Sequence, residues 1–253
     1  MADNSQSQMI MDSVSSLYIA FFGRAPDADG FNYWVNQLSP PQSESPYKTA
    51  GDFALSREWK STYGDLTAAE QVNLFYQNTF GRDADAEGLA YWVNNIESGL
   101  PFSTVAYQII WAAYLGGPNV DPNDNAIVNN KIDVAEYFAT DLKSNDLNVA
   151  ITAYNQVTTA SSSVQVAINT INEEIDSGIV TVTVSQAGRL TGEQQYVLED
   201  TATNLTRAAT EILNNSDGAT IVSGNSVSAS ALNYLVDQVP VYVDASVVTT
   251  TSG

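Results

Sequence analysis

Three acidic clusters carry the chemistry most visible along the chain: Asp27-Ala-Asp29, Asp83-Ala-Asp85-Ala-Glu87 and Asp121-Pro-Asn-Asp124. Closely spaced carboxylates and carbonyls are what a hard cation such as calcium requires, and Asp121 and Asp124 are the expected metal ligands. The first two clusters do not close into a twelve-residue calcium loop, because Tyr33-Trp34 and Tyr91-Trp92 continue as helix where its last ligand would fall. Asp27 and Asp85 therefore read as helix N-caps. A second chemistry is sugar stacking, in which an aromatic plane covers the apolar face of a pyranose while amides reach its hydroxyls. Tyr47, Tyr63, Tyr107 and Tyr114, with Asn119 and Asn123, form the expected glycan-binding set. Trp34 and Trp92, at regular helical spacing, are expected in the core.

Other chemistries are excluded by composition. The chain has no cysteine and no histidine, which removes thiolate nucleophiles, zinc–thiolate sites, Ser-His-Asp catalysis and imidazole ligands. A carboxylate pair could still hydrolyse a glycosidic bond, but with 29 acidic residues nothing singles a pair out, and no enzyme is expected. Those 29 acidic residues against 9 basic ones give a net charge of −20, which repels phosphate backbones and argues against nucleic acid. No apolar run is long enough to span a bilayer, so no membrane insertion is expected. Residues 1–8 lack the basic and apolar regions of a secretory signal peptide, and the Thr-rich end at Val247–Gly253 reads as a cut rather than a terminus.

The elements that would position these groups come from a repeat. Gly23-Arg-Ala-Pro-Asp-Ala-Asp-Gly-Phe-Asn-Tyr-Trp34 matches Gly81-Arg-Asp-Ala-Asp-Ala-Glu-Gly-Leu-Ala-Tyr-Trp92 at an offset of 58. Val14, Tyr18 and Phe22 fall on Val72, Tyr76 and Phe80 at the same offset. Each copy reads as helix, tight turn, helix. Val14, Leu17, Tyr18, Phe21 and Phe22 form a buried helical stripe, Gly23 ends it in a left-handed conformation, and Asp27 starts the next helix. Arg24 and Arg82 are expected to hold the turn, through carbonyls at the helix end or through Asp27, Asp29 or Asp85.

Further helices are predicted over Ala50–Tyr63, Phe102–Leu115 and Asn125–Leu142, the last capped by Asp124, giving an all-α domain over residues 1–145. Residues 146–178 read as a helical bridge broken at Thr158–Ser163. Beyond Gly178, alternating β-branched residues predict a strand at Ile179–Val184. A weak repeat relates Tyr196-Val-Leu-Glu-Asp200 to Val241-Tyr-Val-Asp244, with a helix at Thr201–Asn214 between them. The expected fold class is thus mainly α: tandem helical units, then a smaller mixed α/β repeat, solenoid-like, over residues 179–253.

The Gly-Arg-x-x-Asp-x-x-Gly-x-x-Tyr-Trp motif resembles an uncharacterised helical repeat domain that recurs in bacterial S-layer, repeats-in-toxin and other type I-secreted proteins. Asn130-Lys-Ile-Asp-Val-Ala-Glu-Tyr-Phe138 resembles a segment that often follows it, and Glu199-Asp-Thr-Ala-Thr-Asn-Leu205 resembles repeats of large exported proteins. The resemblance implies export without an N-terminal signal peptide to the cell surface. It further implies an N-terminal part that anchors an S-layer to lipopolysaccharide, usually with calcium, and self-association in a surface lattice. The chain lacks the Gly-Gly-x-Gly-x-Asp nonapeptide of calcium rolls. The alternative is a protein–protein interaction module for lattice or adhesin assembly that touches no sugar. Because the shared motif is accounted for by building helices, recognition is expected where the copies differ, in Ser39–Thr49 and Gly116–Asn125.

Overall fold

The computed structural model describes residues 4–183, 186, 189–190, 195–199, 219–222 and 241–243. Two compact units divide the chain: Met1–Asn145 with Ala153–Ile168, and Asp146–Thr152 with Asn169–Gly253. The described residues are mainly helical.

In the first unit, α1 (Asn4–Phe22) and α2 (Ala28–Leu38) are the helices of the first motif copy, and α5 (Ala68–Phe80) and α6 (Ala86–Glu97) those of the second. The turn between them is built alike in both. Gly23 and Gly81 adopt φ of +57° and +72°, the left-handed conformation that only glycine adopts without a side-chain clash. Asp27 and Asp85 then cap α2 and α6, accepting from the backbone N–H of Gly30 at 2.9 Å and of Gly88 at 2.8 Å. A cap of this kind contributes about 1 kcal/mol. A capping box between Thr67 and Glu70 starts α5.

The single helix expected over Ala50–Tyr63 is instead two, α3 (Pro46–Phe53) and α4 (Arg57–Tyr63). Ser45 followed by Pro46 starts the first and Ser56, accepting from the Trp59 N–H at 3.1 Å, restarts the second. The expected helix Phe102–Leu115 is present as α7. The next helix, α8 (Pro122–Glu136), starts earlier than expected: Asp121, not Asp124, is its N-cap, with Pro122 at the first helical position. It runs into a π-helical turn, Tyr137–Asp141.

The two copies share an aromatic core. Phe21 lies 4.6 Å from Trp59, Trp59 is 4.3 Å from Tyr63 and 5.3 Å from Phe102, and Phe102 is 6.4 Å from Phe75 (ring centroids). Lys131 is buried, yet its Nζ donates to the carbonyls of Asn78 and Thr79 at 2.8 and 2.9 Å and faces the Tyr154 ring at 5.4 Å. Those carbonyls belong to the last turn of α5, which has no intrahelical donors for them, so the ammonium completes that helix end. Burial pushes Lys131 down to about 8, which leaves it largely protonated at neutral pH.

In the second unit, α9 (Leu147–Thr152) is capped by Asp146, whose carboxylate accepts from the N–H groups of Asn148 and Val149. The helix α10 (Ser162–Ser177) begins in the first unit and ends in the second. Four strands follow, β1 (Ile179–Val182), β2 (Gln195–Glu199), β3 (Ala219–Val222) and β4 (Val241–Val243), paired parallel in chain order. The two segments of the weak repeat are thus both strands, with β3 unanticipated between them. The helix expected at Thr201–Asn214 lies outside the described residues. Among the described residues no helix is long and apolar enough to cross a membrane.

Candidate functional site

The second motif copy opens into a cleft of about 510 Å³, lined by its own Tyr76, Phe80, Arg82, Asp85, Gly88 and Trp92. Ile109, Ala112 and Ala113 of α7 form the opposite wall, and Asn119, Val120, Asp121 and Asp124 close one end. Concave surfaces with apolar walls and a few convergent polar groups are where small ligands bind.

Arg82 organises the cleft. Its Nε and Nη2 donate to Asp124 Oδ1 and Oδ2 at 3.0 and 2.6 Å, and its Nη1 donates to the Asp83 carbonyl at 3.0 Å. The guanidinium lies over Tyr76 and Phe80, 5.2 and 5.8 Å from their ring centroids. Trp92 is half-buried, its indole hydrogen-bonded to the Tyr76 hydroxyl. The Gly88 N–H holds the Asp85 carboxyl below the usual carboxylate range, so it is an anion at neutral pH.

Arg24 repeats this geometry in the first copy with a different partner. Its Nε and Nη2 donate to Glu58 at 2.9 and 3.0 Å, its Nη1 donates to the Ala25 carbonyl at 2.9 Å, and it lies 5.2 Å from the Tyr18 ring. The carbonyl contact in both copies is to the residue just after the arginine, in the turn, and not to the end of the preceding helix as expected. Of the expected carboxylates only Asp27 pairs, at 3.3 Å, and the principal partners are Glu58 and Asp124. Both come from the first turn of a later helix, 34 and 42 residues away, and no local pattern announces them.

The expected site residues fall in different places. Tyr63 is only 1% exposed and belongs to the aromatic core, its hydroxyl accepting from Asn78 at 3.3 Å. Tyr47, Tyr107 and Tyr114 come together with Trp111 in a strip, with successive ring centroids 4.9, 6.0 and 4.9 Å apart. Tyr47 is exposed and Tyr107 buried beneath it. The Tyr114 hydroxyl donates to Asp12 at 2.5 Å, and burial together with that carboxylate pushes it up to about 12.

Asn119 lines the cleft, whereas Asn123 is exposed on the first turn of α8. Asp121 and Asp124 are close in space but already engaged, Asp121 by the Asn123 N–H at 2.8 Å and Asp124 by Arg82. Among the described residues no group of three or more acidic side chains is placed to hold a metal ion.

The motif tryptophans depart from expectation: Trp34 and Trp92 are half-buried, while Trp59 is the buried one. Helical spacing puts Trp34 and Trp92 on an inward face, but tertiary contact decides how far each is covered.

A family model described as a domain of unknown function (DUF4214) matches residues 6–44 and 50–108, the first segment carrying one motif copy and the second the other. No curated protein and no solved structure matches the chain.

Proposed function

We propose that this chain is a non-catalytic attachment segment of an exported S-layer protein, anchoring the layer to the outer membrane by binding the O-antigen glycan of lipopolysaccharide. The cleft of the second motif copy carries the reading. It joins a half-buried Trp92 and the Phe80 ring to the Asp85 and Asp121 carboxylates and the Asn119 amide, the mixture of apolar plane and hydroxyl partners that a pyranose requires. The guanidinium of Arg82 is already committed to Asp124, and the rim is acidic, so the favoured ligand is a neutral or amino sugar rather than a carboxylated one. The strip Tyr47–Tyr107–Trp111–Tyr114 supplies a second aromatic platform on the same unit. The export class rests on the resemblance of the repeated motif to type I-secreted proteins. We further infer that residues 179–253 form a strand-and-crossover repeat, which the in-order parallel pairing of β1 to β4 supports.

Cosedimentation with O-antigen-bearing and O-antigen-lacking cells tests the function. Binding to the first alone, lost in Trp92→Ala, is expected; equal binding to both overturns it.

One observation favours the alternative of lattice or adhesin contacts. Tyr33 and Tyr91, at equivalent positions of the two copies, are 55% and 60% exposed, large aromatic surfaces of the kind enriched at protein interfaces. Light scattering with and without calcium separates the two readings, since a lattice former grows and a monomeric lectin does not.

A further inference from the structure

The two motif copies differ at one point that decides whether the cleft exists. In the first copy, the frame of Tyr18, Phe22, Arg24 and Trp34 is filled by the ring of Phe53. That ring stacks on Phe22 at 4.9 Å and 17°, stands edge-on to Tyr18 at 5.2 Å, and tilts against Trp34 at 5.1 Å. Phe53 is 2% exposed, and Arg24 beside it is 7% exposed. In the second copy the same frame is Tyr76, Phe80, Arg82 and Trp92, at the offset of 58, and α7 lines the cleft beside it with Ile109, Ala112 and Ala113. Counted from the first residue of each helix, Pro46 of α3 and Phe102 of α7, Phe53 and Ile109 are both the eighth, an offset of 56 where the motif has 58, because the stretch from the motif tryptophan to the helix is two residues shorter in the second copy. An aliphatic side chain replaces a phenyl ring, Ala112 and Ala113 follow it, and the cleft stands open.

We infer that the two copies are one ring-binding frame, plugged in the first by Phe53 and open in the second, so that the chain binds one ligand ring and carries a latent second site. This rests on the glycan reading for the identity of the ligand, and on the internal occupant for its placement. The ring takes the position that Phe53 shows, its flat apolar face against Phe80 and one edge toward Trp92, with its polar edge toward Asp85, Asn119 and Asp121. A six-membered sugar with one apolar face satisfies both requirements, because its C–H face replaces the phenyl face while its hydroxyls meet the carboxylates and amide. The first copy could not accept it while Phe53 is in place.

Two reciprocal substitutions test this on the full chain. Ile109→Phe supplies the second copy with the plug of the first. It is expected to leave Tm unchanged or raised, where forcing a phenyl ring into a closed core would lower it. A clear fall in Tm of Ile109→Phe overturns the equivalence of the two frames whatever the ligand is. Calorimetric titration uses a single repeat unit released from the O-polysaccharide of the cells above. The expected stoichiometry is one for wild type, none for Ile109→Phe, two for Phe53→Ile, and one for the double variant. A folded Phe53→Ile chain that still binds one, or an Ile109→Phe chain that still binds, overturns the latent-site inference while leaving glycan binding standing. Absence of binding by the wild type sinks the glycan reading instead, and the Tm of Ile109→Phe then remains the measure of the shared frame.

Discussion

At the scale of single residues, the repeated arginines separate burial from charge. Arg24 and Arg82 make the same bidentate pair and the same carbonyl contact, but their side chains are 9% and 36% exposed. Removing one partner of a pair leaves the other charge uncompensated, at a cost that grows with the burial of the charge left behind. Arg24→Ala leaves Glu58, 35% exposed, and Arg82→Ala leaves Asp124, 11% exposed. Arg82→Ala is therefore expected to cost more in urea denaturation, about 3 kcal/mol against about 1–2 kcal/mol for Arg24→Ala; a larger cost for Arg24→Ala would show that burial of the cation, not of the carboxylate left behind, sets the loss. A second asymmetry lies in the motif glycines. A Cβ on Gly30 would clash with the Tyr18 hydroxyl and lie 2.7 Å from Asp27 Oδ2, while one on Gly88 would meet only Asp85 at 3.2 Å. Gly30→Ala should lower Tm clearly, Gly88→Ala much less, and Tyr18→Phe should restore part of the loss by removing the atom that clashes. The sequence made Gly23, Asp27 and Asp85 legible because their roles are local to one turn. The roles of Glu58 and Asp124 depend on tertiary contact with an arginine far along the chain, which no spacing rule encodes.

At the scale of elements, the seam between α1 and α8 stores a proton. Gln8 of α1 donates to both Glu136 oxygens, at 3.1 and 2.9 Å, and to Asp12 at 3.0 Å, while Asp133 of α8 and Tyr114 of α7 face the same cluster. Burial, then the neighbouring Asp12, pushes Glu136 up to about 7. A carboxyl whose folded pKa lies above its unfolded value binds more protons when folded, so its contribution is full at low pH and is lost as pH rises through 7. Chain stability should thus rise between pH 7.5 and pH 5 by on the order of 1–2 kcal/mol, allowing for the partial exposure of the group. Glu136→Gln should flatten that slope; an unchanged slope would remove Glu136 as its source. Lys131 acts in a separate window: its depressed value makes the folded state release its proton first, so stability rises with pH above about 8. Helix existence along this unit was readable from apolar spacing, but helix boundaries were not. The break between α3 and α4 and the start of α8 follow Ser56 and the Asp121-Pro122 pair, cap signals that compete with a continuous apolar stripe.

At the scale of the whole molecule, the sequence separates a helical part from a strand-bearing part by composition, since β-branched alternation begins at Ile179 and basic residues thin out beyond it. It could not show that the first unit borrows residues from beyond its own last helix. Ala153–Ile168 belongs with Met1–Asn145. Asn130 donates to the carbonyls of Thr158 and Ala160 at 2.8 and 3.2 Å, Tyr154 covers Lys131, and Tyr154 and Val157 are themselves buried. A fragment ending at residue 145 would leave Asn130 without those acceptors and expose the Lys131 pocket. Losing two hydrogen bonds and the burial of one aromatic and one aliphatic side chain is expected to cost about 3 kcal/mol or more. For a chain of this size that corresponds to a Tm about 10 °C below that of a fragment ending at residue 177. Because Lys131 regains water in the shorter fragment, its ammonium should also return toward an ordinary lysine value, so the stability gained above pH 8 should shrink in 1–145 and persist in 1–177. Matching melting curves for the two fragments would mean that residues 153–168 rest on the first unit without holding it together.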